Sequence, residues 1–251
     1  MAGGYIIETR ELSKEFRGFR AVSDVNLRVR HGSIHALIGP NGAGKTTVFN
    51  LLTKFLEPTR GQILYDGRDI THAKPADLAR EGMVRSFQIS ATFPHLTVLE
   101  NVRIALQRRL GTSFHFWRSE GSLDVLNQRA EELIEAVGLA GFAGSAAAEL
   151  PYGRKRALEI ATTLALDPKL LLLDEPTAGM GHEDVGRVAD LISKVARDRT
   201  VLMVEHNLSV VADLCDVITV LQRGRILAEG SYDEVSNNPE VREAYMGTGH
   251  A

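Results

Sequence analysis

Cysteine is almost absent from this sequence, since Cys215 is the only one among 251 residues. A lone cysteine excludes an intramolecular disulfide and is typical of a reducing compartment. Long apolar runs are missing too: the longest tight run, at 170–173, is strand-sized and far short of the ~18–20 residues of a membrane-spanning helix. The N-terminus also lacks the basic and apolar segments of a secretory signal.

Neither sign of charge is in excess, because 29 Lys and Arg face 32 Asp and Glu, for a net charge of −3. This balance disfavours a nucleic-acid binder that works through bulk charge. Hydrophobic residues at 44% and charged residues at 24% are typical of a soluble globular domain. We therefore expect a cytoplasmic protein that meets a membrane only through a partner and has no nucleic-acid partner.

The order of strand and helix patterns predicts an α/β fold. Strand-sized apolar runs occur at 33–38, 170–174, 201–205 and 217–221. Helical patterns occur at 46–54, 185–196 and 208–214. Their alternation is the βαβ rhythm of a parallel sheet. A further half-buried strand is expected at 25–30, and a hairpin with an Asp-Gly turn at 61–70.

The middle of the chain has a different pattern. Helical spacing dominates from 97 to about 165, and a small-residue loop is expected at 138–148. The segment 111–121 between the helices is bounded by glycines and rich in aromatic residues. Because the strand pattern resumes afterwards, the sequence predicts an α/β core interrupted by a helical insert.

A glycine-rich segment, GPNGAGKT at 39–46, satisfies the pattern G-x-x-x-x-G-K-[ST] between a predicted strand and a predicted helix. Glycines let successive backbone N–H groups point at phosphate oxygens, and the helix adds the positive end of its dipole. Lys45 is suited to bind the β and γ phosphates, and the Thr46 hydroxyl is suited to ligate Mg²⁺. The predicted nucleotide-binding set in this segment comprises Gly39, Pro40, Asn41, Gly42, Ala43, Gly44, Lys45, Thr46 and Thr47.

Two carboxylates follow the buried strand at 170–174. Asp174 is expected beside the phosphate cradle, where it can hold the Mg²⁺ shell. Glu175, one residue further, points elsewhere and is suited to orient or deprotonate an attacking water. His206 follows another buried strand, and taken alone a histidine there is more often structural than functional.

Together these residues resemble the ATP-binding subunit of an ABC transporter. The segment 39–46 resembles the Walker A motif and 170–175 the Walker B strand with its catalytic glutamate. Gln88 resembles the Q-loop glutamine that contacts Mg²⁺ and the membrane subunit, and His206 resembles the switch histidine that bonds the γ phosphate. Phe16 is the best match to the base-stacking aromatic residue, with Phe19 as the alternative.

The resemblance implies a P-loop NTPase (RecA-like) core with an antiparallel β subdomain and an inserted α-helical subdomain. It implies one ABC ATPase domain over 1–251, in which 1–88 and 166–251 form the core with its N-terminal β subdomain. Residues 89–165 then form the helical subdomain. ATP is the implied substrate and Mg²⁺ the implied cofactor.

The segment 150–156 (LPYGRKR) stands where the family has its signature motif, but it departs from the usual pattern. Pro151 replaces a serine and offers neither hydroxyl nor N–H. The phosphate contact is therefore expected from the backbone N–H groups of Tyr152 and Gly153, and the charge of Arg154 is expected to reach a phosphate or a carboxylate across a dimer. Gly181 also replaces the aspartate usual near the end of the D-loop, which puts that loop's contact with the opposite Walker A motif in question.

Partners and subfamily follow from the same resemblance. It implies two such subunits, identical or paralogous, facing head to tail, with permease subunits in the inner membrane and, indirectly, a periplasmic substrate-binding protein. The aromatic segment 114–117 either fills the core of the insert or, with 89–95, receives a short helix of the membrane subunit. The protein is expected at the inner face of the membrane.

The tyrosine-containing signature, 177–180 (TAGM) and 231–235 (SYDEV) look most like the branched-chain amino acid importers. A urea or amide importer and an ABC exporter remain alternatives. Less favoured are a soluble ABC ATPase, which usually carries tandem cassettes or a coiled-coil insert, and a P-loop kinase, which has no reason to show Gln88, Gly153 and His206 in this order.

Overall fold

The computed structural model describes residues 4–86, 92–109 and 121–246. The strands in these ranges are β1 (Tyr5–Phe16), β2 (Phe19–Val25), β3 (Arg28–Arg30), β4 (Ile34–Ile38), β5 (Arg60–Tyr65), β6 (Arg68–Asp69), β7 (Met83–Arg85), β8 (Leu170–Asp174), β9 (Thr200–Val204), β10 (Val217–Gln222) and β11 (Arg225–Gly230). The helices are α1 (Lys45–Leu52), α2 (Pro75–Arg80), α3 (Val98–Arg109), α4 (Gly121–Ala136), α5 (Tyr152–Leu164), α6 (His182–Ala196), α7 (Leu208–Leu214), α8 (Tyr232–Asn237) and α9 (Pro239–Met246).

The main sheet has six strands in the order β11-β10-β4-β9-β8-β7. All neighbours pair in parallel except β11, which returns antiparallel from β10. Each parallel strand is buried along both faces, which is why the sequence shows continuous apolar runs there. In β8, for example, Leu171 and Leu173 face one hydrophobic cluster, whereas Leu170 and Leu172 face the other. The predicted α/β fold is confirmed.

The N-terminal strands form a second, antiparallel sheet in the order β2-β1-β5-β6, with β3 paired to β1. The predicted hairpin is present, because β5 and β6 are joined by Asp66 and Gly67, both with positive φ. Helix α1, with Phe49 fully buried, packs in the cluster that lies between this sheet and the main one.

The prediction of one continuous strand over 25–30 was wrong. β2 ends at Val25 and β3 begins at Arg28, and β1 pairs with both of them in turn. The side chain of Thr9 explains the break, since its hydroxyl donates to the Val25 carbonyl and accepts from the Leu27 N–H, both at 2.8 Å. A hydroxyl inserted there replaces ladder hydrogen bonds, and the chain bends between the two strands.

Helices α3, α4 and α5 lie in the chain between β7 and β8, and their apolar faces belong to the same hydrophobic cluster as one face of the main sheet. Two short 3-10 turns, Ala140–Phe142 and Ala147–Glu149, occupy the expected loop at 138–148. The aromatic segment 114–117 lies outside the described residues, and the assignment of 89–165 to a separate subdomain stays a prediction. Across the described ranges, no helix combines the length and the hydropathy that a membrane span requires.

A buried histidine in β4 makes the stability of this fold sensitive to pH. His35 is fully buried, and its Nε2 lies 2.8 Å from the Thr219 hydroxyl, which itself donates to Glu229. Its Nδ1 has no hydrogen-bond partner among the described residues. Burial therefore lowers the pKa of His35 from 6.5 to about 4, because a protonated ring would bury a charge with no acceptor.

Between pH 6.5 and about 4 the unfolded chain binds a proton at His35 that the folded chain rejects. The free energy of unfolding should therefore fall as the pH drops through this window, and His35 should account for about 3 kcal/mol of the fall. A His35→Gln variant should show a correspondingly shallower pH dependence in denaturant titrations. The exposed His182→Gln, at the start of α6, is the control for the substitution itself. An equal slope in native and His35→Gln proteins would contradict the assignment.

Candidate active site

The parallel pairing of three strands brings the candidate site residues to one edge of the main sheet. Leu37 of β4 and Asp174 of β8 both pair with Val204 of β9, so the three residues form one row across the sheet. The chain leaves each strand at or just beyond this row, into the glycine-rich segment, Glu175 and His206 respectively. Because neighbouring strands are ~4.8 Å apart, the three exits lie within about 10 Å of one another.

The glycine-rich segment forms a tight cradle between β4 and α1. Gly39, Gly42 and Gly44 all have positive φ. At Gly39 a Cβ would lie 2.2 Å from the Leu221 carbonyl oxygen, and at Gly44 it would lie 2.7 Å from that of Ala21. Only glycine permits these close approaches, so the loop is held against β10 and β2 by its own backbone.

Lys45 opens α1 and is buried beneath the cradle. Its ammonium donates to the carbonyls of Gly39 at 2.6 Å and Pro40 at 3.1 Å, which places the charge inside the loop. Burial lowers the pKa of Lys45, and the nearby carboxylate of Glu175 opposes that shift. The remaining predicted residues of the segment range from buried Ala43 to the exposed Asn41 and Thr46, with Pro40 and Thr47 between.

The cradle has the features that a nucleoside triphosphate with Mg²⁺ requires. The first N–H groups of α1 have no intrahelical partner, and no side chain caps the helix at Gly44. Among the described residues, no group of three or more His, Cys, Asp or Glu side chains could hold a metal by itself. One carboxylate, Asp174, with the hydroxyl of Thr46 fits Mg²⁺, which usually takes its other ligands from substrate phosphates and water.

Asp174 is buried at the end of β8 and forms an ion pair that the sequence analysis did not anticipate. Its Oδ2 accepts from the guanidinium of Arg85 at 2.5 Å. The same guanidinium donates to Asn50 at 2.7 Å and lies over the rings of Phe49 and Phe55. Arg85 thus fixes the direction of the candidate metal ligand from the neighbouring strand β7.

Glu175 and His206 follow the adjacent strands β8 and β9, and their side chains face each other. The distance between Glu175 Oε1 and His206 Nδ1 is 3.8 Å; the histidine is exposed and the glutamate is half-buried. Glu175 has φ +45°, a conformation that few non-glycine residues adopt and that is held here by its N–H bond to the Val204 carbonyl. The two neighbouring carboxylates have different partners, since Glu175 lies beside His206 whereas Asp174 pairs with Arg85.

The segment 150–156 opens helix α5, with Pro151 at the N-cap and no side-chain cap. Tyr152 is exposed, whereas Gly153 is buried. The N–H groups of Arg154 and Lys155 bond to the Pro151 carbonyl. Those of Tyr152 and Gly153 precede the first intrahelical bonds, so they are the groups that this helix start offers to an anion.

Two side-chain environments in this segment are set by the same chain. The Arg154 guanidinium lies 4.3 Å from the Phe142 ring and donates to the Gly138 carbonyl, and its reach across a dimer stays a prediction. A Cβ on Gly153 would lie 2.6 Å from Cγ of Asp184, because α6 of the same chain packs against this position.

The two aromatic candidates for base stacking lie at the same hairpin. Phe16 ends β1 and Phe19 begins β2; they pair across the turn, and both are exposed. The Lys14 ammonium lies 5.2 Å from the centre of the Phe16 ring. The hairpin adjoins the cradle because β2 passes Gly44 at Ala21. Gln88 lies outside the described residues, and its metal-contacting role stays a prediction.

Side chains that the sequence analysis did not single out surround this site. Besides Arg85, the buried Arg156 bonds the Asp174 carbonyl at 3.0 Å and pairs with Glu159 at 2.6 Å. Burial raises the pKa of Glu159, and the pairing with Arg156 opposes this. The buried Glu205 contacts the segments on either side of the site. Their positions in the sequence could have identified them, because each is a charged residue at the end of a buried strand or beside a motif.

Comparison with known proteins agrees with this geometry. The family described as "ABC transporter" matches residues 22–178, and that described as "Branched-chain amino acid ATP-binding cassette transporter" matches residues 225–251. The "High-affinity branched-chain amino acid transport ATP-binding protein BraF" of Pseudomonas aeruginosa is 39% identical, over 96% of this chain and 98% of that protein.

Solved structures show the same fold. An ATP-binding cassette of an ABC transporter in its ADP conformation superposes with a TM-score of 0.84 at 30% identity, over 97% of this chain and 99% of that one. A dimeric bacterial ABC transporter cassette gives a TM-score of 0.76 at 25% identity, over 90% and 98%. The P-loop NTPase architecture predicted from the sequence is confirmed, and so is the resemblance drawn from its motifs.

The packing of Gly153 against α6 generates a stability prediction. Gly153→Ala should lower the free energy of unfolding by about 1–3 kcal/mol, because the new methyl group collides with Asp184. Denaturant titration measures this loss. Asp184→Ala alone should cost less than ~1 kcal/mol, since its ion pair with Arg187 is exposed. The double variant should recover most of the stability; a loss equal to that of Gly153→Ala would contradict the contact.

Proposed function

Because the chain belongs to the ABC transporter family, we propose that it is the ATP-hydrolysing subunit of an importer of branched-chain or related amino acids. The observation that carries the catalytic part is the meeting of the phosphate cradle, Asp174, Glu175 and His206 at one sheet edge. The name of the relative in Pseudomonas aeruginosa and the second family match support the substrate class.

Each residue then has a distinct role in hydrolysis. Lys45 and the cradle N–H groups bind the β and γ phosphates. Thr46 and Asp174 would hold Mg²⁺, which would supply positive charge against the phosphates. Glu175 accepts a proton from the attacking water, and His206, 3.8 Å from it, bonds the γ phosphate. Gln88 completes the metal shell.

The cradle binds only one side of a triphosphate, so a second subunit completes the site. The N–H groups of Tyr152 and Gly153 and the dipole of α5 supply donors to the nucleotide of the opposite subunit. The dimeric cassette structure supports this arrangement. ATP binding closes the dimer and hydrolysis reopens it, which is a two-state cycle that a transporter can use. Phe16 stacks on the adenine.

A groove next to the site is suited to a membrane subunit. It has a volume of about 860 Å³ and runs between the core and helices α3 and α5. Phe55, Phe93 and Ile104, all exposed, line it, and Arg85 and Glu159 line it near the site. An amphipathic helix of a permease subunit fits this lining. A helix bound in the groove would contact Arg85, which itself pairs with Asp174. With such a permease as its partner, the protein works at the inner face of the membrane.

Replacing the catalytic glutamate tests the enzymatic part. Glu175→Gln should keep ATP binding and lower the rate of hydrolysis by roughly 10²–10⁴-fold, because a general base is lost while the cradle is intact. Trapped ATP should then give an ATP-dependent dimer in size-exclusion chromatography. Lys45→Ala is the control and should bind no ATP and stay monomeric. A normal rate of hydrolysis by Glu175→Gln would refute the role.

Replacing a groove residue tests the partner and the substrate class. Ile104→Glu should abolish copurification of the membrane subunits and leave the ATPase rate of the isolated chain unchanged, since it charges an apolar docking surface. Tyr232→Glu, with the same exposed fraction of 36% but outside the groove, is the matched control. Proteoliposomes of the complex should take up leucine and not urea. Undiminished copurification of Ile104→Glu would overturn the docking groove, and uptake of urea instead of leucine would overturn the substrate class.

A further inference from the structure

We propose that Glu205 is a positioning residue that locks Thr177, two residues after the catalytic glutamate, to the backbone that carries His206. This inference rests on the proposed function and adds to it a residue that none of the sequence motifs includes. Glu205 follows β9 directly and is fully buried. A buried carboxylate is costly unless each of its oxygens is hydrogen-bonded, so its partners identify its purpose.

The two oxygens of Glu205 serve two different segments. Oε1 accepts from the backbone N–H of Thr177 at 3.1 Å and also from the Thr177 hydroxyl. Oε2 accepts from the backbone N–H groups of His206 at 2.8 Å and Asn207 at 3.0 Å. One carboxylate thus joins the loop after β8 to the loop after β9 through four hydrogen bonds.

An ionised carboxylate satisfies all four partners. Three of them are backbone N–H groups, which can only donate, and the fourth is the Thr177 hydroxyl. The isosteric glutamine would turn its NH₂ group toward at least one backbone N–H and lose that bond. The charge also strengthens each contact, because hydrogen bonds to an ionised acceptor are roughly twice as strong as neutral ones.

The bridge sets the distance between the two groups that act on the γ phosphate and its water. Glu175 leaves β8 in a strained turn, and two residues later Thr177 is hydrogen-bonded to Glu205 through both its N–H and its hydroxyl. His206 is exposed, and the contact that the structure shows for its ring is the 3.8 Å approach to Glu175. Fixing the backbone at both 177 and 206 therefore holds the histidine opposite the glutamate before nucleotide binds.

A merely structural role for Glu205 predicts a different pattern of effects. In that case, removal of the bridge destabilises the fold, and activity falls in proportion to the folded fraction. A positioning role predicts a lower kcat with an almost unchanged KM for ATP in protein that is fully folded. Substitutions of Thr177 can distinguish the two roles, because they weaken the bridge without removing the buried charge of Glu205.

The test uses Thr177→Val, Thr177→Ser and Thr9→Val in the full chain. Thr177→Val should lower kcat roughly 10-fold and change the KM for ATP less than about twofold, because one of the two hydrogen bonds from the loop to Glu205 is lost while the cradle is intact. Thr177→Ser restores the hydroxyl and should restore kcat. Thr9→Val removes a buried hydroxyl of the antiparallel sheet that also makes two hydrogen bonds, and it should leave kcat unchanged.

A double-mutant cycle with His206→Ala separates positioning from general damage. If the bridge acts through the histidine, Thr177→Val should lower kcat by less than about twofold in the His206→Ala background. Additive losses, or a loss of kcat in Thr9→Val equal to that in Thr177→Val, would overturn the proposal. Failure of the unaltered chain to hydrolyse ATP would overturn the proposed function and this inference together. An active unaltered chain with additive losses in the variants would overturn this inference alone.

Discussion

The in-register parallel pairing of β4, β9 and β8 is the constraint on which the rest of the site depends. It places Leu37, Val204 and Asp174 in one row, so the segments that follow the three strands leave the sheet side by side. Parallel pairing needs long crossover connections, and both faces of such a sheet must be covered. The helices that cover the sheet include α1, which begins at the cradle, and α5, which begins with the candidate signature.

Charges that the sheet buries at this edge are compensated by partners on neighbouring elements. Arg85 of β7 pairs with Asp174 of β8, and the Glu205 carboxylate accepts four hydrogen bonds from two loops. Lys45 is satisfied by carbonyls of its own loop. Such contacts orient each group before a ligand arrives, which lowers the cost of ordering the site when it binds.

The helical insert is linked to the candidate site by a hydrogen bond. Arg156 of α5 bonds the Asp174 carbonyl, so the helix with the candidate signature is tied to the strand that ends at the candidate metal ligand. The groove between α3, α5 and the core has Arg85 and Glu159 near the site and exposed apolar side chains along its length. A direct hydrogen bond therefore joins α5 to the end of β8, and the proposed coupling between a docked helix and hydrolysis would depend on it.

The sequence by itself determined the cradle at 39–46, the buried strands and the hairpin at 61–70, because each depends on the spacing of nearby residues. Only the tertiary structure decided that Arg85 pairs with Asp174, 89 residues away, and that Thr177 bonds Glu205, 28 residues away. It also turned Arg154 toward Phe142 and α6 toward Gly153. Side-chain directions of this kind depend on which elements pack together, and no local pattern encodes the packing partner.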